Sequence, residues 1–200
     1  MATTIPTPTD PALLARLHER LEARATGADA PDLHYRIVDS PVGRLLVAAT
    51  EVGVARVAFE REGEDAVLQT LADRIGPRIL RTPARLDPAA RWFDAYFAGA
   101  HEPGALPLDL RLARGFRLEV LGLLRAVPYG GRVSYAGLAA QTSSPKAVRA
   151  VGTACATNPL PLLIPCHRVT RSDGSIGAYL GGPETKARLL AFESTGVLPS

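Results

Sequence analysis

The chain has few of the residues that build disulfide frameworks or membrane spans. It contains two cysteines, one methionine and one tryptophan, and only 6% of its 200 residues are aromatic. Two cysteines are too few for a disulfide scaffold, so a reducing, cytoplasmic location is expected. Charges or prolines break every apolar run well before the ~20 residues of a membrane helix. The N-terminus lacks the basic and apolar segments of a secretory signal. We therefore expect no membrane association and no secretion.

Positive charge is concentrated in the C-terminal part of the chain. The net charge is +3, but residues 116–200 hold nine Lys or Arg against four acids, which gives +5 there and leaves −2 for residues 1–115. A basic region suits a polyanionic partner and is equally typical of a solvated face. Apolar residues make up 46% of the chain, which is ample for a packed core.

The first 112 residues predict a short extension and a small α/β scaffold. The extension covers residues 1–33 and carries one amphipathic helix over 10–27. A scaffold domain is predicted over 34–112, and no catalytic spacing occurs within it. Its strand-like alternation spans 34–59, and its helix-like segments span 64–76 and 87–99, the second capped by Asp87.

The remaining residues, 113–200, predict a helix-turn-helix domain. A strong helix over 114–127 precedes a short helix capped by Ser134 and a second helix capped by Ser144. Residues 160–169 predict a buried strand, followed by a hairpin turn over 170–177 and a closing helix over 183–194.

The second helix of this motif is made almost entirely of small residues around Arg149. Small side chains permit close packing between helices, and they equally permit a helix to enter a narrow DNA groove with one arginine as its long probe. A helix that reads the major groove usually carries several long polar residues, which this one lacks.

Cys166 follows a proline and precedes His167 and Arg168, two residues that can lower a thiol pKa. A cysteine after an apolar segment is as often merely buried, and neighbours on a strand point to opposite faces. Cys155 lies on the small-residue helix and is expected to be buried and inert. No other Cys or His stands at ligand spacing, so we expect no metal.

The combination of these segments resembles the O6-alkylguanine-DNA alkyltransferases. Pro-Cys-His-Arg-Val at 165–169, the Asn-Pro element before it and the Tyr-x-Gly-Gly turn after it match that family's signature. The close match covers residues 113–195, and a looser one covers 34–112. The resemblance implies an α/β (α+β) fold with a ribonuclease-H-like N-terminal domain and a winged-helix-like helix-turn-helix catalytic domain.

The resemblance also implies irreversible, single-turnover transfer of an alkyl group from guanine O6, and by extension thymine O4, to Cys166. His167 would act as the base through a bridging water, and Glu193 would orient its imidazole. Asn158 would hold the turn beside the active site, and Tyr135 would donate a proton to the departing base. Nothing would regenerate the thioether.

The implied partner is double-stranded DNA, entered from the minor groove with extrusion of the damaged nucleotide. Arg149 would fill the vacated stack, while Tyr135, Ser144 and Ser172 would contact the DNA. Tyr179 and Val169 would line the alkyl pocket. No cofactor is implied, and a monomer is expected, with side-by-side binding of several molecules on DNA left open.

Two rival functions remain at this point. A cysteine hydrolase would turn over repeatedly and would need an oxyanion hole, for which the sequence offers no clear glycine-rich donor loop. A non-catalytic DNA-binding module would not need Cys166. A gain of about 14 Da in the mass of the protein after mixing with methylated duplex would support transfer to the protein, whereas no change would favour the DNA-binding module.

Overall fold

The computed structural model describes residues 30–199, and the helix predicted over 10–27 lies outside this range. The N-terminal part contains four strands and two helices. Their bounds are β1 Leu33–Val38, β2 Leu45–Ala49, β3 Val54–Phe59, α1 Glu64–Arg74, β4 Ile79–Arg81 and α2 Asp87–Phe97. The strands and helices predicted for this scaffold are therefore confirmed. Asp87 is the first residue of α2, not its cap, and its carboxylate pairs with Arg36 at 2.7 Å.

The N-terminal sheet has the strand order β3-β2-β1-β4 and is buried on both faces. Strands β1, β2 and β3 pair antiparallel, whereas β4 joins β1 in parallel. Alternate residues of β2 divide between two cores, because successive side chains of a strand point to opposite faces. Leu46 and Ala48 pack with Leu71 of α1, whereas Leu45 and Val47 belong to the core that contains α2.

The C-terminal part contains four helices and a short pair of strands. Their bounds are α3 Phe116–Arg125, β5 Val133–Ser134, α4 Tyr135–Ala139, α5 Val148–Ala156, β6 Val169–Thr170 and α6 Pro183–Thr195. Helices α4 and α5 form the predicted helix-turn-helix. The predicted cap of α4 is confirmed, since Ser134 Oγ accepts the Gly137 N–H at 2.9 Å. Strands β5 and β6 pair in parallel and tie the start of the motif to the segment after Cys166.

The strand predicted over 160–169 is wrong. The chain turns at Pro161 and Leu162, and residues Cys166–Arg168 form a single 3-10 turn before the two residues of β6. Leu162 is buried at a positive φ of 72°, which a strand does not permit. Prolines 161 and 165 remove backbone donors from the segment, so it could not have joined a sheet along its length. Residues 171–175 do form a turn, but no strand returns from it to β6 within the described residues.

The start of α5 also differs from the prediction. The helix begins at Val148, three residues beyond the expected first position, and Ser144 lies in the connection before it. Glu119 of α3 explains the difference, because its carboxylate accepts both the backbone N–H and the hydroxyl of Ser143. This contact holds the connection against α3, and α5 begins only after it.

The two halves of the molecule share one core and meet at β3. The Val57 N–H donates to the Pro159 carbonyl at 2.8 Å, and Arg56 Nη1 donates to the same oxygen at 3.3 Å. Phe59, at the end of β3, packs edge-on against Tyr179 with ring centroids 5.4 Å apart. The sheet therefore supports both segments that flank the 3-10 turn of Cys166.

Candidate active site

Cys166 lies at the first position of the 3-10 turn and is only 1% exposed. Its Sγ accepts a hydrogen bond from Asn158 Nδ2 at 3.1 Å, and its backbone N–H donates to the Ile164 carbonyl at 2.8 Å. The proline before it and these two bonds fix the direction of the thiol.

Asn158 shapes the turn that leads to the cysteine. Its side-chain oxygen accepts the Leu160 N–H at 3.0 Å, and its amide nitrogen donates to the Ile164 carbonyl at 2.8 Å as well as to the thiol. The residue is fully buried. One amide thus closes the turn locally and presents a donor to sulfur, which agrees with the position predicted for Asn158.

The thiol is protonated in the resting protein. Burial raises the pKa of Cys166 to about 11, and the Asn158 hydrogen bond and the Lys186 charge oppose this rise only in part. Arg168, expected from the sequence to lower this pKa, directs its guanidinium to Glu193 instead. Nucleophilic attack by Cys166 therefore requires removal of its proton during the reaction.

His167 and Glu193 form a buried hydrogen-bonded pair. His167 Nε2 lies 2.9 Å from Glu193 Oε1, and the imidazole is fully buried. Burial lowers the pKa of His167, while the neighbouring Glu193 opposes that effect. Nδ1 of the ring has no hydrogen-bond partner among the described residues. A neutral imidazole held on one side by a carboxylate has the properties of a general base.

Glu193 is held by groups from both halves of the molecule. Arg168 donates to both carboxylate oxygens at 2.9 Å, and the Gly130 N–H donates to Oε2 at 3.1 Å. Tyr96 Oη, from α2, donates to Oε1 at 2.7 Å. Burial alone would raise the pKa of Glu193, but the bonds from His167 and Arg168 hold it well below its usual range. Glu193 is therefore an anion whose direction is fixed.

Tyr135 and Tyr179 lie on two sides of the reactive segment. Tyr135 begins α4, and its hydroxyl lies so close to Gly177 that a Cβ on that glycine would approach it to 2.5 Å. Burial raises the pKa of Tyr135 to about 12, so its hydroxyl keeps its proton at neutral pH. Tyr179 packs between Phe59 and His167, and Val169 is fully buried in β6.

The residues predicted to contact DNA lie at the surface. Arg149 is the second residue of α5 and is exposed, as is Ser144 in the connection before the helix. Ser172 is exposed in the turn after β6. The structure thus does not place Ser144 at a helix N-terminus. The free backbone N–H groups of a helix end, on which the predicted phosphate contact at Ser144 depended, are therefore not found there.

Three residues of the site were not identified from the sequence: Tyr96, Arg168 as a partner of Glu193, and Lys186. Lys186 is fully buried, and its Nζ donates to the Val169 carbonyl at 2.5 Å and lies 5.7 Å from the centre of the Tyr135 ring. Positions 186, 189, 190 and 193 have the spacing of a buried helix face, so a lysine at 186 indicates a buried polar role that the sequence could have revealed. No comparable signal links Tyr96 to a carboxylate 97 residues later.

Cys155 is buried on α5, and burial raises its pKa to about 12. Within residues 30–199, no group of three or more His, Cys, Asp or Glu side chains could hold a metal ion. Across the same residues, no helix is both long and apolar enough to cross a bilayer.

Comparisons with known proteins match both halves of the chain. The family model for the 6-O-methylguanine DNA methyltransferase DNA binding domain matches residues 115–195, and that for the ribonuclease-like domain of the same family matches 33–110. The methylated-DNA–protein-cysteine methyltransferase of Rattus norvegicus is 39% identical over 83% of this chain and 84% of its own length. The bifunctional transcriptional activator/DNA repair enzyme Ada of Escherichia coli is 38% identical over 84% of this chain, which spans only 47% of that protein.

A solved structure gives the same result for the fold. The crystal structure of Mycobacterium tuberculosis OGT in complex with DNA has a TM-score of 0.71 and 33% identity to this chain, and the match covers 81% of this chain and 93% of that one. The predicted α/β class, with a ribonuclease-like domain followed by a helical DNA-binding domain, is confirmed. The chain belongs to the 6-O-methylguanine DNA methyltransferase family.

Proposed function

We propose that Cys166 accepts an alkyl group directly from O6-alkylguanine in double-stranded DNA, in one irreversible step. Family membership gives the coarser function, which is DNA repair by alkyl transfer to a cysteine of the protein. The observation that carries the residue assignment is the setting of the Cys166 thiol. The thiol accepts a hydrogen bond from the Asn158 amide, and the next residue, His167, forms a buried pair with Glu193. Cys155 lies on α5 and has neither arrangement.

The reaction couples proton removal to sulfur attack. His167 takes the thiol proton through a bridging water, with Nδ1 as the nitrogen that Glu193 leaves available. The S–C bond forms as the C–O6 bond breaks, and Tyr135 gives its proton to the departing guanine. The proton held by His167 returns through solvent to Tyr135. The net change moves one alkyl group to sulfur and one proton to guanine, and the resulting thioether has no route back to a thiol.

The buried Glu193–His167 pair favours transfer of the thiol proton to the imidazole. The Glu193 carboxylate stabilises the imidazolium that forms when His167 accepts the proton, as the aspartate does in a hydrolase triad. A thiol with a pKa near 11 is almost entirely protonated at neutral pH, so alkylation there depends on the relay of Cys166, His167 and Glu193. A rate that falls when acid protonates His167 supports the scheme.

The DNA is engaged through the minor groove by α5. Its exposed face near the start consists of Val148, Arg149 and Ala150, a slim surface with a single long side chain. Arg149 enters the stack in place of the extruded nucleotide, Ser144 and Ser172 contact the DNA backbone around it, and Tyr135 contacts the extruded base. Tyr179 and Val169 form the wall of the alkyl pocket.

Several finer features stay predictions. They are action on O4-alkylthymine, a monomeric state, side-by-side binding on DNA, the cytoplasmic location, the absence of a metal or cofactor, and the division of the chain into domains 1–33, 34–112 and 113–200.

Intact mass after incubation with excess methylated duplex tests the proposal. The wild type and Cys155→Ser should each gain about 14 Da once per molecule, whereas Cys166→Ser should gain nothing but still bind duplex. Release of product beyond one equivalent would favour the hydrolase instead. Transfer by Cys166→Ser would refute the residue assignment.

A further inference from the structure

The scaffold domain contributes one hydroxyl group directly to the His-Glu pair. Tyr96 of α2 is 1% exposed, and its Oη donates to Glu193 Oε1 at 2.7 Å. The same carboxylate oxygen lies 2.9 Å from His167 Nε2. The tyrosine hydroxyl and the imidazole therefore share one acceptor atom.

The ring of Tyr96 is locked by its aromatic neighbours, so the direction of its hydroxyl is fixed. It stacks on Trp92 with centroids 5.5 Å apart and an interplanar angle of 6°. Phe192, next to Glu193 on α6, meets it edge-on at 5.8 Å, and Tyr129 does so at 6.0 Å. Burial and the Glu193 charge raise the pKa of Tyr96 far above its usual range, which makes it a permanent donor.

Several other ionisable groups act on the pair from the surrounding elements. Arg168 holds both carboxylate oxygens, and Lys186 lies two turns before Glu193 on the same helix. The groups that surround Glu193 and His167 are Tyr96 on α2, Tyr129 after α3, Arg168 in the 3-10 turn, Tyr179 before α6, and Lys186 on α6. Of the three tyrosines, Tyr96 donates a hydrogen bond to the carboxylate, whereas the hydroxyls of Tyr129 and Tyr179 have no partner within the described residues.

We infer that Tyr96 is a positioning residue, through which the scaffold domain sets how strongly Glu193 holds His167. The inference rests on the proposed function, in which His167 must be neutral to accept the thiol proton. A donor on Oε1 withdraws electron density from that oxygen and weakens it as an acceptor for His167. Loss of the tyrosine hydroxyl strengthens the Glu193–His167 bond, stabilises the imidazolium and raises the pKa of His167.

The test compares Tyr96→Phe with Tyr129→Phe. Each change removes one hydroxyl and keeps the ring, but only Tyr96 bonds to Glu193. The rate of alkylation by free O6-benzylguanine is measured from about pH 5 to about pH 9, beside the midpoint of thermal unfolding. In Tyr96→Phe, the acidic limb should move to higher pH, with a rate loss of roughly three- to tenfold at about pH 6 and no loss at about pH 8, where the imidazole is neutral in both proteins. Tyr129→Phe should follow the wild-type profile.

An NMR titration of His167 in the same variants reports its pKa without any reaction. An upward change in Tyr96→Phe alone supports the inference. If the Tyr96→Phe profile and titration match the wild type while only the unfolding temperature falls, Tyr96 is a packing residue and the inference is wrong. An equal effect of Tyr129→Phe would also overturn it, because the aromatic cluster as a whole would then be responsible. A wild type that never becomes alkylated would instead overturn the proposed function itself.

Discussion

Replacement of Asn158 by alanine should separate the reactivity of the thiol from the stability of the fold. The change removes three hydrogen bonds, but their losses are unequal. The Ile164 carbonyl keeps the Cys166 N–H at 2.8 Å, so it retains a partner. The Leu160 N–H loses its acceptor in a buried turn, which costs about 1–3 kcal/mol of the free energy of unfolding. That loss is tolerable for a domain stabilised by about 5–15 kcal/mol.

The effect on the thiol is of the same size but appears in the rate of alkylation instead of in the free energy of unfolding. A hydrogen bond to a charged group is worth about 1.5–3 kcal/mol, and Asn158 Nδ2 supplies one to sulfur that strengthens as the thiolate forms. Without it, the pKa of Cys166 rises further, and alkylation at neutral pH should slow roughly ten- to a hundredfold. The rate profile with O6-benzylguanine should move toward alkaline pH, as followed by intact mass.

Asn158→Asp is the matched control for the turn. The carboxylate can still accept the Leu160 N–H, but it turns an acceptor toward both sulfur and the Ile164 carbonyl. It should therefore react as slowly as Asn158→Ala or more slowly. If Asn158→Ala loses stability but keeps the wild-type rate and pH profile, Asn158 only closes the turn, and the electrostatic role assigned to it is wrong.

Four further changes test other parts of the site. Arg149→Ala should react with free O6-benzylguanine at nearly the wild-type rate but more slowly with duplex, measured at saturating DNA and fixed salt. The slowing should be about tenfold for each ~1.4 kcal/mol of unstacking free energy that the missing arginine no longer offsets. Equal slowing of both substrates would show that Arg149 has only a structural role. Lys186→Met keeps the buried stem and removes the charge that opposes the rise in the thiol pKa, so its rate profile should move toward alkaline pH, and an unchanged profile would contradict this. Gly177→Ala should displace the end of the Tyr135 side chain and slow alkylation, because the added Cβ would lie 2.5 Å from its hydroxyl oxygen and 2.9 Å from its ring carbon Cε2. A wild-type rate would show that the hydroxyl position is unimportant. The low pKa of Glu193 in the folded protein contributes stability that is fully present above about pH 5 and is lost progressively as pH falls toward the pKa of the folded state. Thermal unfolding between about pH 5 and about pH 3 should show a smaller loss in Glu193→Gln than in the wild type.

Periodicity predicted most of the helices and strands, because this signal depends on neighbours in the chain, whereas of the caps predicted at Asp87, Ser134 and Ser144 only that at Ser134 is found. The apolar face of α2 is an example of such periodicity. The strand predicted over 160–169 is wrong because its apolar residues are buried by a turn, which the Asn158 side chain and a backbone bond from the Ile164 N–H to the Leu160 carbonyl hold together. Hydrophobicity alone does not distinguish a buried turn from a buried strand.

The residues that contact the Cys166–His167–Glu193 relay are harder to predict from the sequence than the three residues of the relay itself. Cys166, His167 and Asn158 lie within nine residues of one another, so a short motif contains them. Glu193 was placed through the family resemblance. Tyr96 reaches it across the boundary between the two halves, and a tyrosine on an apolar helix face carries no mark of its distant acceptor. Lys186 could have been identified, because a lysine at a position with the spacing of the core must have its charge satisfied inside the protein.

The bonds that join β3 to the Pro159 turn have a consequence for the order of events during folding. Arg56 and Pro159 are 103 residues apart in the chain, and Tyr96 and Glu193 are 97 apart. Contacts of such long sequence separation form late, because the entropy of closing a long loop must be overcome before they stabilise anything. The local helices can form early, but the environment of Cys166 is complete only when both halves have docked. A nascent or partly folded chain therefore lacks the groups that remove the Cys166 proton and hold the alkylated base.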